Sequence, residues 1–304
     1  MRTFAKIAFV LVLILAAFGA GAYLATMSPS SENLFISLKS QVRTALGLPK
    51  FWFPVPTKPG NPADVASACP DPKRTLVIVT GGQSNAANSN SRLSETRPGD
   101  NVFVWFDGRC YVARDPVAGA SSAMGSLWPL LGLNLAKETG RPVLFINGAI
   151  SGTQVADWLD PRSGYYDALA KRVAQAREAG YEAEIVLWHQ GETDAATGTD
   201  TVALTRDIGN LTQKLLKDIP KSTLYLFRAS KCIGDKRKNG VAAVIAAQEQ
   251  AGKNNNRIVV GMNTDELDND YRWDTCHFNS RARDRIVEQV GPEISRLIAR
   301  KSNP

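Results

Sequence analysis

Thr75-Leu76-Val77-Ile78-Val79-Thr80, followed directly by Gly81-Gly82-Gln83-Ser84-Asn85, is the stretch whose reading decides the fold. Its first six residues form an unbroken β-rich run, the pattern of a strand covered on both faces and therefore of a parallel sheet under helices. The two glycines permit a tight turn out of the strand. A serine at the start of a following helix has backbone N–H groups nearby that can stabilise negative charge. Alone, such a turn is more often a loop and helix cap.

Downstream the same alternation repeats. Strands are predicted over 75–80, 142–147, 184–188, 224–227 and 257–260. Helices are predicted over 127–139, 165–179, 201–218, 241–253 and 281–301. Short apolar runs alternating with helix-length amphipathic stretches imply βαβ units. The expected fold is therefore α/β, a three-layer α/β/α sandwich with a parallel five-stranded sheet. Residues 101–106 and 110–113 flank Asp107-Gly108 and read as a hairpin decorating that core. In open parallel sheets ligands bind beyond the carboxyl ends of the strands, so the distinctive polar residues belong just after strands.

Three further segments meet that expectation or complete its chemistry. Asp274-Thr275-Cys276-His277 lies in a polar loop before the last helix, and the chain has only two histidines, His189 and His277. A carboxylate three residues before His277 can hold the ring with Nε2 facing a hydroxyl, which is the logic of an activated nucleophile. Trp188-His189-Gln190-Gly191-Glu192-Thr193-Asp194 follows another strand. A metal site could be imagined from His189, Glu192 and Asp194, but zinc usually takes more His or Cys than this chain can spare, so no metal is expected. Ile150-Ser151-Gly152-Thr153 follows a third strand, and Trp158 comes soon after. The Gly152 N–H can approach a reacting carbonyl closely.

The net charge of +7 is concentrated at one end: residues 1–74 hold eight Lys/Arg against three Asp/Glu. Nucleic-acid binding is therefore not expected, since no dense basic stripe interleaved with aromatics remains. Lys231, Lys236, Arg237 and Lys238 form a local basic loop. Arg2 and Lys6 precede an uncharged run, 7–27, long enough at 1.5 Å per residue to cross a bilayer core of roughly 30 Å. Residues 1–27 are accordingly expected to be an N-terminal hydrophobic helix, acting as a signal anchor or signal peptide. Residues 28–73 are expected to supply a juxtamembrane helix near 34–46 and a Pro-rich linker, and 74–304 the catalytic domain. That organisation implies export, with anchoring in the inner (plasma) membrane and the domain on the extracytoplasmic side. In an oxidising compartment the four cysteines could form two disulfides with three connectivities. Cys69–Cys110 with Cys232–Cys276 is the pairing expected here.

Taken in order, GGQSN, the ISGT segment with its tryptophan, WHQGETD and DTCH resemble the SGNH hydrolases. The likeness is to the sialate O-acetylesterase-like branch of carbohydrate acetylesterases, over roughly residues 75–300. The resemblance implies a flavodoxin-like SGNH fold and a serine esterase acting on acetylated carbohydrate without cofactor. It implies Ser84 as nucleophile, His277 as base and Asp274 as its orienting acid. Ser84 N–H, Gly152 N–H and the Gln190 side-chain amide would form the oxyanion hole. Gln83, Asn85, Trp158 and Glu192 are candidates for substrate contact, and Trp105, Trp128 and Trp188 are further candidate sugar platforms. Two other readings stay open: a glycan O-acetyltransferase with the same triad, and a catalytically idle glycan-binding protein.

Overall fold

The structure, a computed structural model, describes residues 53–60, 66–232, 238–253 and 255–302. Its frame is one sheet of eight strands: β1 Ala66–Ser67, β2 Leu76–Gly82, β3 Val102–Phe106, β4 Arg109–Val112, β5 Val143–Asn147, β6 Ala183–His189, β7 Thr223–Arg228 and β8 Ile258–Asn263. They run in the spatial order β1-β4-β3-β5-β2-β6-β7-β8. From β3 to β8 neighbouring strands pair in parallel, while β4 joins β3, and β1 joins β4, antiparallel.

Seven helices among the described residues connect or cover these strands: α1 Trp128–Thr139, α2 Val155–Leu159, α3 Tyr165–Glu178, α4 Glu192–Thr197, α5 Thr201–Asp218, α6 Lys238–Gly252 and α7 Ser280–Ser302. Side chains alternate between the faces of a strand, so β2 must supply two cores at once. Leu76 and Ile78 pack into a cluster with Leu127, Leu131, Ile286 and Ile294 under α1 and α7. Val77 and Val79, equally buried, point to the other layer. All seven residues of β2 are inaccessible, which is why its sequence shows no polar alternation.

Two expectations require correction. The sheet is an eight-stranded mixed sheet, not a five-stranded parallel one. The segment read as a decorating hairpin enters the sheet itself: the first strand of that hairpin, β3, is a buried apolar run and pairs in parallel with β5, Val102 opposite Val143 and Val104 opposite Phe145. The hairpin turn fixes β4 antiparallel beside it, and β1 then pairs with β4, Ser67 opposite Cys110.

The second correction concerns the membrane. No helix of the described residues is long and apolar enough to cross a bilayer. The hydrophobic helix at 1–27 and the juxtamembrane helix near 34–46 fall outside the described residues. No described residue supports the membrane anchor, the signal segment or the inner-membrane placement.

Part of the Pro-rich stretch is held against the domain. Arg172, a buried guanidinium, donates to Pro56 O at 2.8 Å while also reaching Gly119 O and Asn147 O. Tyr165 Oη donates to Phe53 O at 3.0 Å. Burial lowers the Arg172 pKa to about 10, still far above neutral, so the side chain stays a cation bridging three carbonyls. The cysteines pair as Cys69–Cys110 and Cys232–Cys276. The first ties the chain beyond β1 to the start of β4, and the second ties the loop after β7 to the loop preceding α7.

Candidate active site

The order of strands reverses around β2: the chain passes from β2 to β3 on one side, and from β5 to β6 on the other. Three loops leave the carboxyl ends of β2, β5 and β6 together at that crevice. Backbone hydrogen bonds stitch them: Ile150 N donates to Gly82 O at 3.0 Å and Gln83 N to His189 O at 2.9 Å, while Ser121 N, in the segment between β4 and α1, donates to Ala149 O at 2.9 Å. The approach is so close that a Cβ on Gly82 would lie 1.9 Å from His189 O, and Gly82 also has φ +117°. Only glycine meets both conditions.

Ser84 sits in the turn after β2 and is 6% exposed. Asp274 and His277 occupy the loop between β8 and α7. His277 Nδ1 is 2.6 Å from Asp274 Oδ2. A carboxylate can only accept, so Nδ1 carries the hydrogen and Nε2 of the neutral ring presents its lone pair. Asp274 Oδ1 accepts from Cys276 N at 3.0 Å and His277 N at 2.7 Å, so one carboxylate shapes the loop and aims the ring. Burial works to raise the Asp274 pKa. The hydrogen bond and charge of His277, with the two backbone N–H groups, outweigh it and hold the carboxyl below its ordinary value.

Ser84 and His277 are joined through Asn85, not by a hydrogen bond between their own side chains. Asn85 is wholly buried; its Nδ2 donates to Cys276 O at 3.3 Å and its Oδ1 accepts from Phe278 N at 3.1 Å. The residue after Ser84 therefore grips the backbone on both flanks of His277. Asn85 Nδ2 also donates to Glu192 Oε1 at 2.8 Å, and that oxygen lies 3.4 Å from His189 Nδ1. His189 Nε2 meets Thr264 Oγ1 at 3.0 Å, and burial drives the imidazole pKa down. Arg272 completes the network by donating to the carbonyls of Cys276, Thr264 and Leu267, with its guanidinium 5.1 Å from the Phe278 ring centre.

The expected oxyanion donors behave differently from one another. Gln83 N and Ser151 N are spent, on His189 O and Ser121 Oγ respectively. Ser84 N and Gly152 N donate to no described group, and Gly152 is exposed with φ +71°. The Phe53 ring covers one side of that glycine: a Cβ there would lie 2.9 Å from Phe53 Cε2. Gln190, in contrast, is 2% exposed, and its Nε2 faces Thr153 O, Gln83 Oε1 and Asp194 Oδ2. In this arrangement its amide braces the loops.

The four candidates for substrate contact are likewise braces. Gln83 Oε1 accepts from Thr193 N at 3.0 Å, and Glu192 and Asn85 lie within the buried network. Trp158 is 1% exposed, donates to Thr153 Oγ1 and meets Trp188 edge-on at 4.8 Å. Trp105, Trp128 and Trp188 are also buried. Among the described residues the exposed indole is that of Trp273, which the sequence reading did not single out. It lies against His277 with the rings inclined by 27°. Its signal was position alone, the residue before Asp274. Among the described residues no group of three or more His, Cys, Asp or Glu is placed to hold a metal ion.

Comparison with known proteins agrees with this architecture. Residues 74–294 match the family described as carbohydrate esterase, sialic acid-specific acetylesterase. A protein of Arabidopsis thaliana named a probable carbohydrate esterase is 28% identical over 98 residues, 32% of this chain and 37% of that protein. A solved structure from Arabidopsis thaliana superimposes with TM-score 0.57 at 17% identity, covering 72% of this chain and 97% of that one. The structure of NanS superimposes with TM-score 0.52 at 14% identity, covering 77% and 100%. At these identities the structural likenesses establish the fold alone.

Proposed function

From the premise that this chain belongs to the carbohydrate esterase, sialic acid-specific acetylesterase family, we propose that it removes O-acetyl groups from carbohydrate through Ser84, His277 and Asp274. The observation that carries this reading is the joint hold on His277. Asp274 fixes its ring at 2.6 Å, and Asn85, adjacent to Ser84, fixes its backbone on both sides.

Ser84 Oγ attacks the acetyl carbonyl carbon while its proton passes to His277 Nε2. The carbonyl oxygen becomes an oxyanion, met by the N–H groups of Ser84 and Gly152, both without a described partner. Such donors are worth about 3 to 4 kcal/mol each in the transition state, because they are aimed before the charge develops. Collapse breaks the bond to the sugar oxygen, which leaves with the proton from His277, and acetyl-Ser84 remains. Water, deprotonated by His277, attacks the acyl carbon through a second oxyanion. Acetate departs and Ser84 recovers its proton. Asp274 stays ionised throughout and stabilises the imidazolium, consistent with its depressed pKa.

Acetate release from p-nitrophenyl acetate and from O-acetylated xylo-oligosaccharides and sialosides tests the assignment. Ser84→Ala is expected to lower kcat by at least about 10⁴-fold with the fold unchanged. Equal rates in the variant and the parent would remove Ser84 from the mechanism. Acetylated product forming on an added sugar, in place of acetate, would replace hydrolysis by transfer.

A further inference from the structure

We propose that Trp273 and the hydroxyl cluster of Ser89, Ser122 and Ser151 hold the sugar ring bearing the scissile acetyl group, an assignment that rests on the esterase reading above. Trp273 is 44% exposed, whereas Trp105, Trp128, Trp158 and Trp188 are all 4% exposed or less. Its exposure is not looseness. The indole N–H donates to Ser89 O at 3.1 Å, Trp273 N donates to His277 O at 3.0 Å, and the ring lies near-parallel to the His277 imidazole at 6.1 Å. A flat apolar face held rigid beside a catalytic base suits the C–H face of a pyranose, because little side-chain entropy remains to be lost on binding.

A sugar also brings hydroxyls, and the same rim supplies their complement. Ser151 Oγ lies 2.8 Å from Ser122 Oγ, 3.1 Å from Ser121 Oγ and 3.2 Å from Ser89 Oγ, and Ser89 Oγ is 3.1 Å from Ser122 Oγ. In the Ser89–Ser151 and Ser122–Ser151 contacts either oxygen can donate. The cluster can therefore turn its hydrogens to meet a ligand group that both donates and accepts, which a sugar hydroxyl does. Ser122 is exposed and Ser151 half-buried, so the cluster is open on one side.

Continuity places it at the reaction centre. Ser151 precedes Gly152, whose N–H faces the developing oxyanion in the mechanism above. Ser89 carries the indole at its carbonyl and the hydroxyl cluster at its side chain. The line His277, Trp273, Ser89, Ser151, Gly152 thus runs unbroken from the base to the oxyanion donor. The proposal seats the departing alcohol over that line.

The test compares Trp273→Ala, Trp273→Phe and Ser122→Ala with the parent enzyme, on p-nitrophenyl acetate and on the best-hydrolysed member of a panel of O-acetylated xylo-oligosaccharides and sialosides. Trp273→Ala is expected to raise KM on the glycan about tenfold more than on p-nitrophenyl acetate, with Trp273→Phe recovering most of the difference and Ser122→Ala raising glycan KM about threefold. Equal losses on both esters, carried by kcat, would overturn the proposal and leave Trp273 as a support for His277. A second readout does not depend on turnover: the panel glycans added to Ser84→Ala should shift tryptophan emission, and Ser84→Ala/Trp273→Ala should lose that shift. An enzyme that releases no acetate from any ester defeats the esterase reading; no emission shift from any glycan at millimolar concentration defeats this one.

Discussion

On one flank of His277 the side chains of Asn85, His189 and Glu192 are closed to solvent, while on the other Ser122, Gly152 and Trp273 face it. Both flanks are polar, yet they are built on different terms. In the closed network Asn85 alone serves Cys276 O, Phe278 N and Glu192 Oε1, and no water stands ready to replace it. A buried donor or acceptor stripped of its partner costs about 1 to 3 kcal/mol. On the open flank water can take the place of any missing contact, so a substitution costs the fold little and alters what is recognised. Geometry is stored in the dry half and recognition is assigned to the wet half.

The severest challenge to that division is Gly82→Ala, which should cost at least about 3 kcal/mol in urea unfolding, since it adds a clash with His189 O to a backbone conformation unsuited to side chains. A stable variant would mean that the β2–β6 approach is adjustable. Asn85→Ala comes next. It should reduce kcat/KM about 100-fold through kcat, with KM on p-nitrophenyl acetate changing by less than about threefold, as expected when a base is displaced from a bound ester. A purely KM effect would make Asn85 a substrate contact and dissolve the distinction between the two flanks.

The effects of pH are graded, and here two carboxylates, Asp194 and Asp274, should differ in sign. Asp194 is buried in the braced loops, and burial lifts its pKa to about 7, opposed only in part by Val155 N and Gln190. Its folded value lies above the unfolded one of about 3.9, so its contribution is fully present below that value and lost as pH rises to about 7. Asp194→Asn should therefore raise the urea midpoint progressively between about pH 4 and pH 7, and by a constant amount beyond. Asp274 has a depressed folded value, so its contribution is complete above about pH 3.9 and lost as pH falls through the lower folded one. Asp274→Asn should lower the midpoint near neutrality and converge on the parent in acid. Shifts of the same sign in both variants would show that one environment governs both carboxylates.

The elements of the fold were legible because they rest on pattern. The helix read over 201–218 is Thr201–Asp218, and the strand read over 184–188 lies within Ala183–His189. The width of the sheet was not legible. Val102–Phe106 is as apolar as the central strands, but the hairpin turn beside it concealed its parallel pairing with β5, which is non-local. At the site, the short spacing of Asp274 and His277 announces their contact, since three residues can close a turn. Asn85, Gln83 and Glu192 are polar residues in functional motifs, and sequence gives no means of telling a brace from a contact. Trp158 shared a motif and proved to be core. Trp273 stood in none of the quoted motifs, because exposure is a property of the folded surface and leaves no periodic trace.

The close backbone approach of β2 and β6 also bears on how such an enzyme can change over generations. Gly81 faces the Trp188 ring and Gly82 faces His189 O with no room for a methyl group, so a gene drifting at these codons gives a product of much reduced stability. Ser122, exposed on its loop, is limited by its φ of +68° and not by a wall of neighbouring backbone. A duplicated copy can therefore explore new glycans by accumulating replacements along the rim while the catalytic floor is inherited intact.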